Sequence, residues 1–514
     1  MPLRIAFVAS EIAPLAKTGG LADVTSALIR YLDGAGHDVR AFLPRYAAID
    51  LARLDGAPVE GLTDVPLEVG PHRYRYSVIR VRLPERRVGQ EPGGAQAPAE
   101  RVRTLAAHAP AAQGRSPSVY LIDCPALYDR PRLYTTDPDE HLRFLALTRA
   151  AFECCQRMQW SPQILHCHDW HAAFGPLFLK TIYAWDRLFH PTRSILTIHN
   201  LGYQGVFSAA AVGDLQLGAG QYLLHQDDLR AGFINSLKHG ILYADAITTV
   251  SPTYSREIRT PEFGMGLEHI LAARADAVLG ILNGVDYEEW DPRTDPYLPE
   301  HYDATRLDAK ARLKAQLTAR LGLARGPRTA LAGVVSRLAS QKGIDLLLAA
   351  LPPVLTSRDL VCAVLGSGDE PYERALEALA RAHPGRLAFH RGYSDELAHW
   401  IEAASDLFIM PSQYEPCGLN QMYSLRYGTV PVVRETGGLA DTVERYDPAS
   451  GRGTGILFRE YRADALIRAL ETALDLYAAP EHWSRMARNG MAKDFSWERQ
   501  GARYVELYEE LSAA

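Results

Sequence analysis

Short apolar, β-branched segments alternate with longer segments of helical periodicity along almost the whole chain. The strand-like segments of the first half are IAFVAS, DVRAFL, SVYLID, QILHCH, SILTIH and AITTVS, and those of the second half are TALAGVVSR, LVCAVLG, RLAFHRGY, DLFIMPS and TVPVVRE. Helical segments such as LADVTSALIRYLDGAGH and PYERALEALARAH separate them. This alternation predicts an α/β protein with parallel sheets, and 514 residues are enough for two doubly wound domains.

Turn-forming residues divide the chain into regions. The segment LNGVDYEEWDPRTDPYLPEHYD has little apolar periodicity and predicts a junction. We therefore expect an N-terminal domain over residues 1–275, a second domain over residues 283–490, and a final helix within residues 491–514. Residues 84–118 are rich in Pro, Ala, Gly and Gln, which predicts a mobile surface insertion with no chemistry.

Charge and cysteine content narrow the classes of function. A net charge of -6 provides no basic surface for nucleic acid. The six cysteines contain no C-x-x-C and no paired framework, as expected in a reducing cytoplasm. The amino terminus reads as a buried strand and a loop, and no segment is apolar enough over a sufficient length to cross a bilayer. We expect a cytoplasmic protein without nucleic-acid or membrane partners.

The hexapeptide TGGLAD occurs twice, at residues 18–23 and 436–441. Each copy follows a strand and opens a helix, where adjacent glycines let backbone amides approach an anionic ligand. Two tight turns with helix caps would also explain the pattern. Two copies at equivalent positions of two similar domains favour the hypothesis that both turns face one cleft.

Two further segments combine charge with a strand end. Arg337 and Lys342 in SRLASQKG can neutralise a diphosphate, or they can be a solvated pair of charges. Glu415 in PSQYEPCGLNQ precedes a predicted helix, so its carboxylate and the following amides can hold sugar hydroxyls. The alternative for Glu415 is a helix cap.

Histidines cluster in LHCHDWHAA, at His166, His168 and His171, beside Asp169. The His-x-His spacing permits a metal-dependent hydrolase, although further ligands would have to come from elsewhere. We prefer Asp169 as a helix cap that faces the cleft. His199 and Asn200 follow another strand, as a hydrogen-bonding pair or as a loop. The D-x-D of TTDPDE is interpreted as a turn rather than a metal site.

In their order, KTGGLADV, HDWHA, TIHNLGYQG, NGVD, SRLASQKG, PSQYEPCGLNQ and RETGGLADTV resemble the motifs of bacterial glycogen synthases and plant starch synthases. The resemblance covers nearly the whole chain except residues 84–118. It implies the GT-B fold, in which two Rossmann-like domains face each other across a deep cleft and the last helix crosses back to the first domain.

The resemblance also implies roles for residues of the N-terminal domain wall. Those near the donor phosphates and the acceptor are Lys17, Gly19 and Gly20, with Asp23 supporting their loop. Those around the transferred glucose are Asp169, His199, Asn200 and Asn283.

For the second domain, the resemblance implies four sets of contacts. The diphosphate would be held by Arg337 and Lys342, and the glucose by Glu415 with the amides of Cys417, Gly418 and Leu419. The nucleobase would be contacted by Gly392 and Tyr393. The phosphate side would be closed by Thr436, Gly437 and Gly438. The chain departs from the usual bacterial pattern at Asn420, where Thr is common, and it has Tyr423 where a neighbouring family has a second glutamate.

The implied reaction moves glucose from ADP-glucose to the 4-hydroxyl of an α-1,4-glucan such as glycogen, with retention and without a metal or other cofactor. The residues expected to carry it are Asp169, His199, Arg337, Lys342 and Glu415. UDP-glucose is an alternative donor. The other hypotheses are a metal-dependent hydrolase built on HCHDWH, which predicts bound zinc, and a non-catalytic glucan-binding protein.

Overall fold

A computed structural model describes residues 2–84, 116–324, 326 and 328–513. Most of the predicted insertion at residues 84–118, namely residues 85–115, lies outside the described residues. The two ends of that segment lie close together, because the backbone N–H of Leu83 donates to the carbonyl of Pro117 at 2.9 Å. At its C-terminal end the insertion is shorter than expected, since Ser118 already belongs to a strand.

The strands of the described chain are β1 (Arg4–Val8), β2 (Asp38–Pro44), β3 (Gly56–Pro58), β4 (Val65–Val69), β5 (His72–Arg82), β6 (Ser118–Asp123), β7 (Ile164–His168), β8 (Arg193–Ile198), β9 (Val206–Ser208), β10 (Phe233–Asn235), β11 (Ala246–Thr249), β12 (Val278–Gly280), β13 (Ala330–Val335), β14 (Leu360–Gly366), β15 (Leu387–Arg391), β16 (Leu407–Met410), β17 (Val430–Arg434) and β18 (Ile456–Phe458).

The helices are α1 (Gly20–Gly34), α2 (Pro125–Tyr128), α3 (Glu140–Arg157), α4 (Asp169–Ala172), α5 (Gly175–Lys180), α6 (Gln226–Arg230), α7 (Ser236–Tyr243), α8 (Pro252–Glu257), α9 (Glu268–Ala273), α10 (Asp308–Arg320), α11 (Ile344–Ser357), α12 (Glu370–Ala382), α13 (Asp395–Ala404), α14 (Asn420–Arg426), α15 (Gly437–Thr442), α16 (Ala463–Tyr477), α17 (Pro480–Met491) and α18 (Trp497–Ala513). In the described part of the chain, none of them combines the length and the apolar character that a bilayer crossing requires.

The first sheet has the strand order β12-β11-β8-β7-β1-β2-β6-β5-β3, with β4 paired to β5. Its strands from β12 to β6 pair in parallel, whereas β3, β4 and β5 pair antiparallel. The parallel strand β7 is buried throughout, and the antiparallel strand β4 alternates buried and exposed residues. This difference follows from helices covering both faces of the parallel part and solvent reaching one face of the antiparallel part.

The second sheet is parallel throughout and has the order β15-β14-β13-β16-β17-β18. Numbered from its own first strand, this is the 3-2-1-4-5-6 order of a dinucleotide-binding fold. The order reverses between β13 and β16, and in the first sheet it reverses between β1 and β7. Ligands of open parallel sheets bind outside the carboxyl ends of the strands at such a switch point.

The predicted junction is packed rather than open. Trp290 lies in a ring stack between His399, at 3.8 Å between centroids, and Tyr423, at 4.0 Å. The backbone N–H of Val285 donates to the carbonyl of Phe495 at 2.7 Å. The domain boundaries at 275, 283 and 490 stay predictions, since the chain passes from one sheet to the other through this buried segment.

Helix α18 returns to the first half of the chain. Its Trp497, Tyr504 and Tyr508 are buried in the core that also contains β1 and α1. The Tyr508 hydroxyl lies 2.7 Å from Nδ1 of His166, the central residue of β7. The helix thereby covers one face of the first sheet and reaches strands whose ends carry predicted site residues.

Candidate active site

A cavity of ≈ 270 Å³ lies between the two halves, where β13, β14, β15 and β16 end. It therefore occupies the switch point of the second sheet, as the rule for open parallel sheets requires. The predicted site residues that line it are Lys17, Gly19, Gly20, Asp23, Arg337, Lys342, Gly392, Tyr393, Gly418 and Leu419. Residues from both domains thus meet around one space.

The first TGGLAD copy forms the cavity wall of the first half. Gly19 is extended and precedes α1, which begins at Gly20. The buried carboxylate of Glu11 accepts from the backbone N–H of Thr18 at 2.6 Å, from its hydroxyl at 2.7 Å, and from the backbone N–H of Gly19 at 3.2 Å. Lys17 Nζ lies 3.0 Å from Asp23 Oδ1 across the turn. Glu11 thus shapes the turn, while the ammonium group of Lys17 stands at the cavity.

Arg337 and Lys342 both reach the cavity from the segment after β13. Lys342 Nζ lies 2.6 Å from Glu415 Oε2, and the Ser412 hydroxyl donates to the same oxygen at 3.1 Å. Arg337 Nη1 lies 3.5 Å from the hydroxyl of Tyr203, which belongs to the first half. Lys342 is therefore paired with a carboxylate, whereas Arg337 is exposed and lies at the distance limit of a hydrogen bond from Tyr203.

The loop after Glu415 continues the cavity wall with Gly418 and Leu419. Cys417 is buried beneath it, and the backbone N–H of Asn283 points at its sulfur. Burial raises the pKa of the Cys417 thiol to about 12, so the group stays a neutral thiol. Asn283 is itself buried, and its side-chain oxygen has no hydrogen-bond partner among the described residues. The junction and the loop after Glu415 are thus joined at this point.

Gly392 and Tyr393 form the rim of the cavity beyond β15. Tyr393 is 64% exposed, and its hydroxyl donates to the carboxylate of Asp395. An aromatic ring exposed at a cavity mouth offers a flat apolar face to a planar ligand. This position is compatible with the predicted contact to a nucleobase.

Asp169, His199 and Asn200 meet where the neighbouring strands β7 and β8 end. Asp169 lies just after β7, and its Oδ1 accepts from the backbone N–H of His199 at 2.7 Å and from that of Asn200 at 3.5 Å. Burial raises the pKa of Asp169 to about 7, against the effect of these two amides. Asn200 Nδ2 lies 3.5 Å from Oε1 of Gln341 in the second half, next to Lys342. Asp169 therefore fixes the loop that carries His199 and Asn200. The prediction that it caps the following helix is wrong, because α4 begins at Asp169 itself and has no side-chain cap hydrogen bond.

The histidines of HCHDWH make contacts within the fold. His166 Nε2 lies 2.6 Å from the Thr197 hydroxyl, and His168 Nδ1 lies 2.9 Å from His199 Nε2. His171 stacks on Tyr134 at 4.9 Å between centroids. Across the described ranges no group of three or more His, Cys, Asp or Glu side chains could hold a metal ion. The spacing that permitted a metal hydrolase is thus used for ring packing and hydrogen bonds.

The D-x-D segment is a salt-bridged turn before α3. Arg130 Nη1 lies 2.7 Å from Asp137 Oδ2, and Arg130 Nη2 lies 2.5 Å from Asp139 Oδ2. Both carboxylates are thereby paired on the first domain, as the turn interpretation expects.

The second TGGLAD copy has a different environment from the first. Thr436, Gly437 and Gly438 are not among the described residues that line the cavity, and the same holds for Asp169, His199, Asn200, Asn283, Glu415 and Cys417. The Glu257 carboxylate of α8 accepts from the Thr436 hydroxyl and the Gly437 backbone N–H, each at 3.0 Å. Its Asp441 accepts from the hydroxyls of Ser251 and Thr253, both at 2.6 Å. This turn joins the two halves of the molecule, and its contact with a phosphate stays a prediction.

Close backbone approach explains the two glycines of that copy. A Cβ at Gly437 would overlap the carbonyl oxygen of Glu415, and a Cβ at Gly438 would overlap that of Cys417. The Gly438 backbone N–H donates to the Glu415 carbonyl at 3.0 Å. The second copy therefore packs against the backbone of the loop that contains Glu415 and Cys417.

Sequence reasoning missed several residues that shape the site: Glu11, Tyr203, Glu257, Gln341 and Asp441. Two of them have the same role in the structure, because in both hexapeptide copies a glutamate accepts from the threonine hydroxyl and from a backbone amide. Glu257 lies 180 residues before its amide partner Gly437, so sequence alone could not pair the two.

Comparison with known families divides the chain as the two sheets do. Residues 4–273 match the model of the starch synthase catalytic domain, and residues 322–490 match that of the group 1 glycosyl transferases.

Whole proteins give the same assignment. The chain is 42% identical to the glycogen synthase of Koribacter versatilis, over 99% of this chain and 98% of that protein. It is 43% identical to the glycogen synthase of Anaeromyxobacter dehalogenans, over 99% of each. The catalytic domain of starch synthase IV from Arabidopsis thaliana, solved with ADP and acarbose bound, superposes with a TM-score of 0.86 at 31% identity over 100% of both chains.

A sucrose-phosphate synthase from Thermosynechococcus elongatus shares only the fold, with a TM-score of 0.59 at 18% identity. The chain therefore belongs to the glycogen synthase and starch synthase family, as a glucosyltransferase of glycogen synthesis with the GT-B fold of two Rossmann-like domains.

Proposed function

We propose that the chain transfers glucose from ADP-glucose to the non-reducing 4-hydroxyl of an α-1,4-glucan, with retention at the anomeric carbon. The observation that carries the proposal is the cavity lined by Arg337 and Lys342 from one half and by the turn of Lys17 from the other, with Glu415 2.6 Å from Lys342. The ADP and acarbose bound to the Arabidopsis relative support a nucleotide and a glucan as ligands of this cleft.

Arg337 and Lys342 hold the diphosphate in this proposal. The whole chain is acidic, with a net charge of -6, so the attraction for the donor comes from these local cations and from Lys17. Negative charge grows on the diphosphate as its bond to glucose breaks, and fixed cations therefore stabilise the transition state more than the ground state. Lys342 has three N–H donors, so it can keep its hydrogen bond to Glu415 while it contacts phosphate.

The glucose lies between two walls in this proposal. Glu415 accepts from sugar hydroxyls, and the amides of Cys417, Gly418 and Leu419 donate to them. The opposite wall consists of Asp169, His199, Asn200 and Asn283. Asp169 acts there through the loop that it caps.

The remaining donor contacts surround the nucleotide. Gly392 and Tyr393 take the base at the rim, whereas Gly19, Gly20 and Asp23 form the turn near the phosphates and the acceptor. Thr436, Gly437 and Gly438 close the phosphate side once the halves rearrange around the donor. Such closure excludes water, which would otherwise hydrolyse the donor.

The chemical step needs no enzymic nucleophile in this proposal. The bond from the anomeric carbon to the phosphate oxygen breaks, and the acceptor 4-hydroxyl oxygen attacks from the same face. The leaving phosphate takes the proton of that hydroxyl, which yields ADP and a glucan that is longer by one glucose. We propose no metal or organic cofactor, no nucleic-acid or membrane partner, and a cytoplasmic location, in line with six buried cysteine thiols.

Transfer of labelled glucose to glycogen tests the donor. Chelator-treated protein is incubated with glycogen and labelled ADP-glucose or UDP-glucose, and the label in the polymer is counted. We expect label from ADP-glucose without added metal. Label from UDP-glucose alone would overturn the donor assignment, and no label from either donor would contradict the proposed reaction.

A further inference from the structure

Two imidazole rings meet behind the proposed glucose wall, and the function proposed above uses only one of them. His168 Nδ1 lies 2.9 Å from His199 Nε2. Burial lowers the pKa of His199 to about 3 and that of His168 well below its ordinary value, so both rings are neutral. Two neutral imidazoles in this arrangement share one proton, and one ring must donate while the other accepts.

The far nitrogen of His168 decides which ring donates. His168 Nε2 is buried and has no hydrogen-bond partner among the described residues. A proton on Nε2 would be a buried N–H without an acceptor, which is the more costly arrangement. His168 therefore carries its proton on Nδ1 and donates it to His199 Nε2.

The orientation of the His168 ring is fixed by its neighbours. Phe7 packs on it at 4.1 Å between centroids, and His166 packs on it at the same distance. His166 in turn is held by the Tyr508 hydroxyl at 2.7 Å and the Thr197 hydroxyl at 2.6 Å. A flip of His168 would have to disturb this buried stack, which extends from β1 to the last helix.

His199 is fixed at two points. Its backbone N–H donates to Asp169, and its Nε2 accepts from His168. Its Nδ1 makes no hydrogen bond to any residue that the structure describes. This atom is also absent from the buried side-chain atoms that lack a partner, so it is not fully buried. The nitrogen that carries the proton of His199 is therefore the one that remains accessible.

We propose that His168 is a positioning residue that holds His199 in the Nδ1–H tautomer, so that His199 presents a fixed hydrogen-bond donor to a hydroxyl of the transferred glucose. The proposal rests on the proposed function for the identity of the sugar, but the tautomer itself does not depend on any ligand.

The tautomer is measured by long-range ¹H–¹⁵N NMR of protein labelled at histidine, with the His199 signals assigned by their loss in His199→Gln. We expect Nδ1 of His199 to have the chemical shift of a protonated ring nitrogen and Nε2 that of an unprotonated one, without substrate. A proton on Nε2 would overturn the proposal, whether or not the protein transfers glucose.

Two substitutions at position 168 provide the kinetic test. His168→Phe keeps a ring in the stack but removes the donor, whereas an Asn amide in His168→Asn takes the place of Nδ1–H. We expect His168→Phe to lower kcat about tenfold, with a smaller change in the donor KM because the diphosphate contacts are intact. His168→Asn should recover most of that loss.

The NMR spectrum of His168→Phe completes the test. We expect the proton of His199 to leave its fixed position on Nδ1 in this variant and to stay there in His168→Asn. If the His199 signals of His168→Phe equal those of the parent protein, His168 does not set the tautomer. If both variants lose kcat equally while His199 keeps its tautomer, the effect is one of packing, and the proposal fails. If the parent protein itself transfers no glucose, that result would contradict the proposed function instead.

Discussion

The Lys342–Glu415 pair is the most informative contact at the scale of single residues. The sequence motifs assign the lysine to a diphosphate and the glutamate to a sugar, and the structure has the two groups 2.6 Å apart. In a nucleotide sugar the diphosphate is bonded directly to the sugar ring, so groups that recognise these two parts must be neighbours. The contact is thus what the proposed donor requires.

Removal of the Lys342 charge should impair the chemical step. We expect Lys342→Ala to lower kcat by roughly two to three orders of magnitude, because a fixed cation at developing charge is lost. Steady-state kinetics with ADP-glucose and glycogen measures the effect, and circular dichroism checks the fold. The control is Lys493→Ala, which breaks a surface pair with Glu444 at 2.5 Å outside the cavity. Near-normal turnover of Lys342→Ala would refute the diphosphate assignment.

Asp169 should make stability depend on pH. Its pKa is raised to about 7, so between about pH 4 and pH 7 the native state holds a proton that the unfolded chain releases. The contribution of Asp169 to stability therefore falls as the pH rises through this range. Asp169→Asn, which cannot titrate, should gain stability relative to the parent protein from pH 5 to pH 7.5, as measured by urea unfolding. A difference that is constant or falls over this interval would show that the carboxyl is not protonated in the native state.

The sequence predicted which candidate site residues lie together best where they follow a buried parallel strand. His199 and Asn200 come directly after β8, and Asp169 directly after β7, and the carboxyl ends of neighbouring parallel strands meet at one edge. Glu11 and Glu257 were not predicted, because a glutamate that caps a turn by tertiary contact has no local pattern. The orientation of His168 toward His199 likewise could not be predicted from the spacing of histidines in the sequence, because it depends on ring packing.

At the scale of elements, the two hexapeptides show that one sequence can serve two purposes. Both open a helix after a strand, as predicted, and both have a glutamate on their amides. The first copy lines the cavity, and the second packs its glycines on the backbone that carries Glu415. What differs is the neighbouring element, which the hexapeptide itself does not encode.

A methyl group in the second hexapeptide copy should displace the loop that contains Glu415 and Cys417. We expect Gly438→Ala to lower the free energy of unfolding by about 1–3 kcal/mol, because the added carbon overlaps the Cys417 carbonyl. The donor KM should rise as the loop shifts. Gly34→Ala is the control, since no atom lies within 4 Å of its added carbon, and its stability should be unchanged or raised by up to about 1 kcal/mol. Equal behaviour of the two variants in urea unfolding would contradict the packing explanation.

Most of the predicted strands are buried on both faces, with the edge strand β15 as an exception, and the missed strands were edge or antiparallel ones. The segment LVCAVLG is buried at every position, which gives a continuous apolar run. Strand β5 alternates polar and apolar residues and contains four arginines, and β12 and β18 have three residues each. Short or half-solvated strands have too few apolar positions for a recognisable sequence pattern. They form because a neighbouring strand pairs with them.

At the scale of the whole molecule, contacts between α8 and α15 hold the two halves together beside the cleft. Asp441 Oδ2 accepts from the backbone N–H of Thr253 at 2.8 Å, and its carboxylate also accepts from two hydroxyls of that helix region. Glu257 makes the reciprocal contact to the start of α15. These contacts link the proposed closure of the cleft to the loop that carries Glu415.

Loss of this contact should loosen the closed arrangement. We expect Asp441→Ala to lower kcat/KM about tenfold and to increase the radius of gyration measured by X-ray scattering with ADP present. Asp475→Ala is the control, because its exposed pair with Arg358 lies within the second half. A radius of gyration and a kcat/KM like those of the control would show that the α8–α15 contact does not govern closure.

The central claim is tested most directly by extension of a malto-oligosaccharide with ADP-[1-¹³C]glucose, followed by ¹³C NMR. The account predicts a signal of an α-1,4-linked glucose at the non-reducing end, with one ADP released for each glucose transferred. A β-linked product would contradict retention, and labelled free glucose in place of an extended chain would contradict a water-excluding glucosyltransferase.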